Sequence, residues 1–277
     1  MKHINKIIQK VFLAISFVGV IFLAVGCGAQ GSQEKTVKVG INNADEPIWK
    51  VVQQKVKKDH INLKIVEFSD YNQPNTALSQ GELDINAFQH RFFLSNWNKA
   101  HHTNLVAIGN TVIQPMAVYS NKLTDIKQIK NGAKVAVPND ASNEARALQL
   151  LENAGLITLK NTKKKLPSTK DIQTNKLNLK FNVLDAAQTA HSLGDVDVAV
   201  INGNVTNAAK LSAKKVIYKE KISKQSKPWI NIIVANKKDQ HNKTYQKVVK
   251  AFQSADVAKA IKKVYGQGAV TVWNSKF

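Results

Sequence analysis

The chain has 277 residues, 43% of them hydrophobic and 21% charged, a length and balance that suit about two globular domains and exclude a disordered or fibrous chain. Forty Lys and Arg against 19 Asp and Glu give a net charge of +21. The single cysteine, Cys27, excludes an internal disulfide framework and any multi-thiolate zinc or iron–sulfur site.

Lys2, Lys6 and Lys10 form a positive start with no acid, and Val11 to Val25 is then interrupted only by Ser16 and Gly19. That apolar run is too short for a hydrocarbon core of ~30 Å, which takes about 20 helical residues, and it reads as a secretory signal peptide over residues 1–26. The ending Leu23-Ala24-Val25-Gly26-Cys27 resembles the lipobox of bacterial lipoproteins, in which the cysteine carries the lipid; the alternative is a plain export signal with an incidental cysteine. Residues 27–35 then read as a lipidated tether to the membrane. Removing residues 1–26 takes away three lysines and leaves +18. An exported protein of that charge meets anionic lipid and wall polymer rather than nucleic acid, and its dispersed lysines read as solvated surface.

The mature chain alternates β-rich and helical stretches. Thr36–Ile41 reads as a strand, Pro47–Asp59 as a helix with Ile48, Val51, Val52 and Val56 on one face, and Ile61–Phe68 as a strand. Pro74–Gln80 reads as a short helix closed by Gly81, Leu83–Phe88 as a strand, and Gln89–His102 as a helix. Asn104–Ser120 holds one or two strands, after which the theme restarts: strand Lys134–Pro138, helix Ser142–Asn153, a polar surface excursion over Leu159–Lys176, strand Leu179–Leu184, helix Ala186–Leu193 and strand Val196–Ile201. A late strand, Ile230–Ala235, precedes two amphipathic helices near residues 244–254 and 256–265. The order predicts an α/β fold of parallel strands with helical crossovers in two lobes, residues 36–115 plus 230–277 and residues 116–229, with ligands beyond the carboxyl ends of the strands and between the lobes.

Arg91 and Arg146 are the only arginines among 40 cationic residues. Arg146 falls one turn into its helix with no acid at helical spacing, beside free backbone N–H groups; it is a site for a carboxylate or phosphate ligand, an exposed arginine, or one paired to a distant acid. Asn139 and Asp140 precede that helix and suit capping. Asn202 and Asn231 are amides at strand ends, able to take an ammonium or a carboxylate and equally able to serve as turn residues. A lone histidine such as His90, after a strand and opening a helix, is more often structural than a ligand, and Tyr71 is a lobe-edge or half-buried aromatic. His101 and His102 point different ways on a helix and make a poor metal site. The usual hydrolase, zinc-protease and phosphate-loop motifs are missing, which disfavours an exported enzyme; neither metal nor cofactor is expected.

Five stretches, FSDYNQPNTALSQGELDINAFQH (68–90), AIGNT (107–111), VAVPNDASNEARALQLLENAGLI (135–157), VDVAVIN (196–202) and PWINIIV (228–234), resemble the methionine-binding lipoproteins of bacterial ABC importers, the NlpA/MetQ-like family. The resemblance implies a two-lobed periplasmic-binding-protein fold (type II-like) that closes on one amino acid, L-methionine first, and delivers it to an ABC permease driven by its ATPase. Carried over motif by motif, it places Tyr71, Phe88, His90, Asn139, Arg146, Asn202 and Asn231 around the ligand. The arginine would meet the carboxylate, the asparagines the polar end and the aromatics the thioether. The chain departs from the family at Pro47-Ile48-Trp49 and Arg91-Phe92-Phe93, which opens the ligand class to another amino acid or a methionyl dipeptide. The rival of another class is a basic surface adhesion or wall-interaction lipoprotein.

Overall fold

Alternating apolar side chains in KTVKVGIN and INLKIVEF make the strands β1 (Lys35–Asn42) and β2 (Ile61–Phe68), and Pro47 in the first turn starts the helix between them, α1 (Glu46–Val56). In the computed structural model, residues 34–160 and 166–273 are described; the expected signal peptide, Cys27 and nearly all of the tether lie outside them. Helix α2 (Gln73–Gln80) ends at Gly81, whose φ of 81° suits a residue without a side chain. Strand β3 (Ile85–His90), helix α3 (Arg91–His101) and strand β4 (Leu105–Asn110) follow.

The span 104–120 holds three strands rather than one or two: β4, β5 (Val112–Ile113) and β6 (Ala117–Tyr119). Strand β7 (Lys134–Pro138) leads into helix α4 (Ala141–Asn153). The polar excursion is partly ordered as an antiparallel pair, β8 (Thr158–Leu159) with β9 (Ile172–Thr174). After β10 (Lys180–Leu184), the expected helix 186–193 is instead two short 3-10 turns, Ala186–Gln188 and His191–Gly194. Here the hydroxyls of Thr189 and Ser192 donate to the carbonyls of Ala186 and Thr189 (2.7 and 2.9 Å), taking up acceptors that a continuing helix would use. Then come β11 (Val198–Ile201), α5 (Gly203–Ala208), the unforeseen β12 (Val216–Lys219), β13 (Asn231–Asn236), α6 (Lys243–Phe252), α7 (Ala255–Tyr265) and β14 (Val270–Thr271), which pairs with β5.

Two five-stranded sheets result, β2-β1-β3-β13-β4 and β10-β7-β11-β6-β12. The expected parallel pairing holds for β2-β1-β3 and β10-β7-β11, whereas β13 and β6 are antiparallel to both their neighbours. In each sheet a strand-helix-strand crossover, β3-α3-β4 or β11-α5-β12, leaves room for one strand, and a segment from elsewhere in the chain fills it. Trp49 and Val52 of α1, Val248 and Phe252 of α6 and Ile261 of α7 pack with Val37, Val39 and Ile41 of the first sheet; Leu78 of α2 and Leu94 of α3 join Ile232 and Val234 of β13. In the second sheet Leu148 and Leu151 of α4 pack on Val135, Val137, Val198 and Val200, while Val205 of α5 packs with Ala199 and Ile201. Each such fully buried large side chain contributes about 1.5–3 kcal/mol.

Candidate functional site

The carboxyl ends of β3, β7 and β11 converge on one cavity lined by residues of both sheet layers. Six of the seven expected residues, Tyr71, Phe88, His90, Arg146, Asn202 and Asn231, line it. Asn139 does not: it is exposed at the end of β7. One turn further on, Asn143 lines the cavity in its stead. Asp140 caps α4, as its spacing suggested, accepting the Asn143 backbone N–H (3.0 Å), and its other oxygen accepts the Asn143 amide (2.9 Å). The cap thereby fixes the side chain that faces the cavity.

His90 ends β3 and caps α3, its Nδ1 accepting the N–H of Phe93 at 3.0 Å. With Nδ1 an acceptor, the neutral ring carries its proton on Nε2, 3.4 Å from Asn143 Oδ1. Burial, with help from the Arg146 guanidinium, pushes its pKa down to about 3, so the ring is uncharged at neutral pH. Asn231 sits opposite His90 in the β13–β3 pairing, and its amide points to Gln114 Oε1 (3.4 Å). Behind β3, the side chains of Asn75, Asn86 and Gln89 bond to one another at 2.6–3.0 Å. These buried amides hold α2 against the strand that presents Phe88 and His90.

An aromatic wall faces the polar groups. Phe88 and Phe93 meet edge-on (5.6 Å between centroids), and Tyr71 lies 6.1 and 6.2 Å from them. The Tyr71 hydroxyl donates to Asn204 Oδ1 at 2.6 Å, and burial raises its pKa, keeping it protonated. Such a wall suits an apolar or thioether chain, since sulfur packs favourably near ring edges at ~5 Å.

Arg146 is 5% exposed and does have an acidic partner, one that helical spacing could not reveal. Glu220, just after β12, takes Nε (3.0 Å) and Nη2 (2.5 Å) in a two-point bond, and the Gln114 carbonyl takes Nη2 at 3.0 Å. The guanidinium lies 4.8 Å from the Trp229 ring centroid. Among the described residues Nη1 makes no hydrogen bond. Asn202 gives its amide to Asn143 Oδ1 (2.8 Å), while its buried Oδ1 has no partner among the described residues. A buried acceptor without a donor costs about 1–3 kcal/mol, so this atom is set to receive a donor from a guest. Gly203 permits the packing: a Cβ there would lie 2.9 Å from Gln114 Cβ.

Sequence reasoning gave no site role to Asn143, Asn204 or Glu220, which meet the site through tertiary contacts. Phe93 and Gln114 stood out only within departures from the family, Arg91-Phe92-Phe93 and Gln114-Pro115-Met116, that bear on the pocket edge. Arg91, the other fork, is exposed and donates to Asn110 Oδ1 at 2.7 Å outside the cavity. Among the described residues no three His, Cys, Asp or Glu side chains come together as a metal site.

The chain is 39% identical over 270 residues to the D-methionine-binding lipoprotein MetQ of Escherichia coli K12, covering 95% of this chain and 98% of that one. It is 44% identical to the substrate-binding protein of a methionine transporter from Streptococcus pneumoniae, with a TM-score of 0.82 and 86% and 96% of the chains covered. A nutrient-binding protein from Burkholderia cenocepacia, solved bound to methionine, is 42% identical with a TM-score of 0.82, over 85% and 99%. The fold is thus that of transporter substrate-binding proteins. Residues 37–273 match the NlpA lipoprotein model, and the chain belongs to the NlpA lipoprotein family.

Proposed function

We propose that this protein is the extracytoplasmic substrate-binding lipoprotein of an ABC importer and takes methionine in the cavity at Arg146. The observation that carries the reading is the pairing, in one enclosure, of an unsatisfied acceptor with free donors. Asn202 Oδ1 suits an α-ammonium, and Arg146 Nη1 suits an α-carboxylate. The wall of Tyr71, Phe88 and Phe93 then faces the thioether. A zwitterion removed from water needs both charges met, or desolvation costs several kcal/mol.

In this reading residues 36–115 plus 230–277 form one lobe and residues 116–229 the other, and the ligand stabilises the closed arrangement through contacts with both. Lipid on Cys27 holds the protein at the outer face of the membrane, beside the permease and ATPase that receive its cargo. The protein performs no chemistry on the ligand.

A second reading, a methionyl dipeptide, is favoured by a neighbouring cavity that shares Phe88, Gln114 and Asn231 with the first and contains the carboxylate of Asp45. Calorimetry with L-methionine, D-methionine and methionyl dipeptides, on protein stripped of ligand by unfolding and refolding, decides among them. Micromolar binding of L-methionine is expected; binding of none of these compounds would refute the assignment. Replacing Cys27 with Ala should abolish incorporation of labelled palmitate, and retained label would refute the anchor.

A further inference from the structure

Among the described residues, Arg146 brings the one fixed charge of the cavity lining. The other ionisable side chains there are Tyr71, kept protonated by burial, and His90, kept neutral. Glu220 stands directly behind the guanidinium, 16% exposed at its side chain. Its Oε2 also accepts the Met116 N–H (3.1 Å), and its own N–H donates to the Met116 carbonyl (3.0 Å). The carboxylate is therefore clamped in place where the end of β12 pairs with the start of β6. A two-point bond this buried does more than orient the fork: it brings the local charge to zero while leaving Nη1 free.

We propose that Glu220 is a specificity-determining residue that makes the cavity select net-neutral zwitterions over anions of the same shape. This rests on the reading of the cavity as an amino-acid site. With Glu220 ionised, a guest's ammonium meets a neutral ion pair, and its carboxylate gains from Nη1 alone. Without that carboxylate the wall carries +1 in surroundings that screen poorly, repelling an ammonium and drawing in any anion.

The informative pair of ligands is L-methionine and 2-hydroxy-4-(methylthio)butanoate. They share carboxylate and thioether, and the hydroxyl can still donate to Asn202 Oδ1. The ratio of their dissociation constants therefore reads the ammonium alone. The test is calorimetry on the full-length protein in detergent at pH 7, with thermal melting to establish that each variant is folded. Wild type should prefer methionine at least tenfold. Glu220→Gln should lower that preference more than tenfold, and Glu220→Asp, which draws the carboxylate back, at least threefold in the same direction. A merely structural role would weaken both ligands together. An unchanged ratio in the folded variants, or a wild type indifferent between the two ligands, overturns the proposal while leaving methionine binding standing. A wild type that binds no methionine removes the amino-acid reading and this inference with it.

Discussion

Lowering the pH of the ligand-free protein from 7 to 5 should change its stability by less than about 1 kcal/mol through the two strongly shifted groups near the cavity, because their titrations oppose each other. His90 has a folded pKa of about 3 against an ordinary 6.5. Between those values the unfolded chain holds more protons, so stability falls as pH falls; from pH 7 to 5 the loss is about 2 kcal/mol. Asp45, partly buried and holding Tyr265's hydroxyl at 2.6 Å, is raised by burial from 3.8 to about 6. Between those values the folded protein holds more protons, so stability rises as pH falls; over the same interval the gain is about 1 kcal/mol. Each effect becomes visible when the other is removed. Asp45→Asn should lose about 2 kcal/mol more at pH 5 than at pH 7, and His90→Gln should gain about 1. Urea unfolding of wild type and both variants at the two pH values measures these differences, with titrations elsewhere cancelling between proteins. If all three share one pH slope, the burial argument for both groups is wrong.

Other substitutions test the geometry. Arg146→Lys replaces a planar fork with one ammonium that cannot serve Glu220, Gln114 and a ligand together; losing a charged hydrogen bond worth about 1.5–3 kcal/mol should weaken methionine binding at least tenfold in calorimetry. Gly203→Ala pushes a Cβ to 2.9 Å from Gln114 Cβ; the overpacking should cost about 1–3 kcal/mol in urea unfolding and weaken ligand binding. Tyr71→Phe keeps the ring but removes the bond to Asn204, which should lower stability by about 1 kcal/mol; an effect near zero would mean the bond is not formed in solution.

The elements most legible in the sequence are those whose own side chains decide them. INLKIVEF alternates and forms a strand with the expected bounds, Ile61–Phe68, and Gly81 closes its helix as its chemistry dictates. The stretch 186–193 has helical spacing, yet its hydroxyls compete for the carbonyls, a local effect that apolar periodicity does not register. The antiparallel placement of β13 and β6 was illegible because register between distant segments leaves no mark in either one. The same division runs through the site. Arg146, Asn202 and Asn231 stand out by residue type at strand or helix ends, and six of the seven expected residues share the cavity. Glu220 is 74 positions from Arg146, and nothing in its neighbourhood announces the pairing. Asn139 and Asn143 are both amides near the start of α4; which one faces inward depends on the cap at Asp140.

The late arrival of β13 shapes how the chain can assemble. All strands of the second sheet lie between residues 117 and 219, so that sheet can complete itself during synthesis. The first sheet cannot. Until residues 231–236 emerge, β3 is paired only with β1 and β4 has no hydrogen-bonded strand in the sheet at all. The interval leaves a vacant slot flanked by two unpaired backbone edges, a template for any extended peptide. At high concentration the segment best matched to that slot is the same strand from another copy, making exchange of β13 between two chains the characteristic misassembly of this topology.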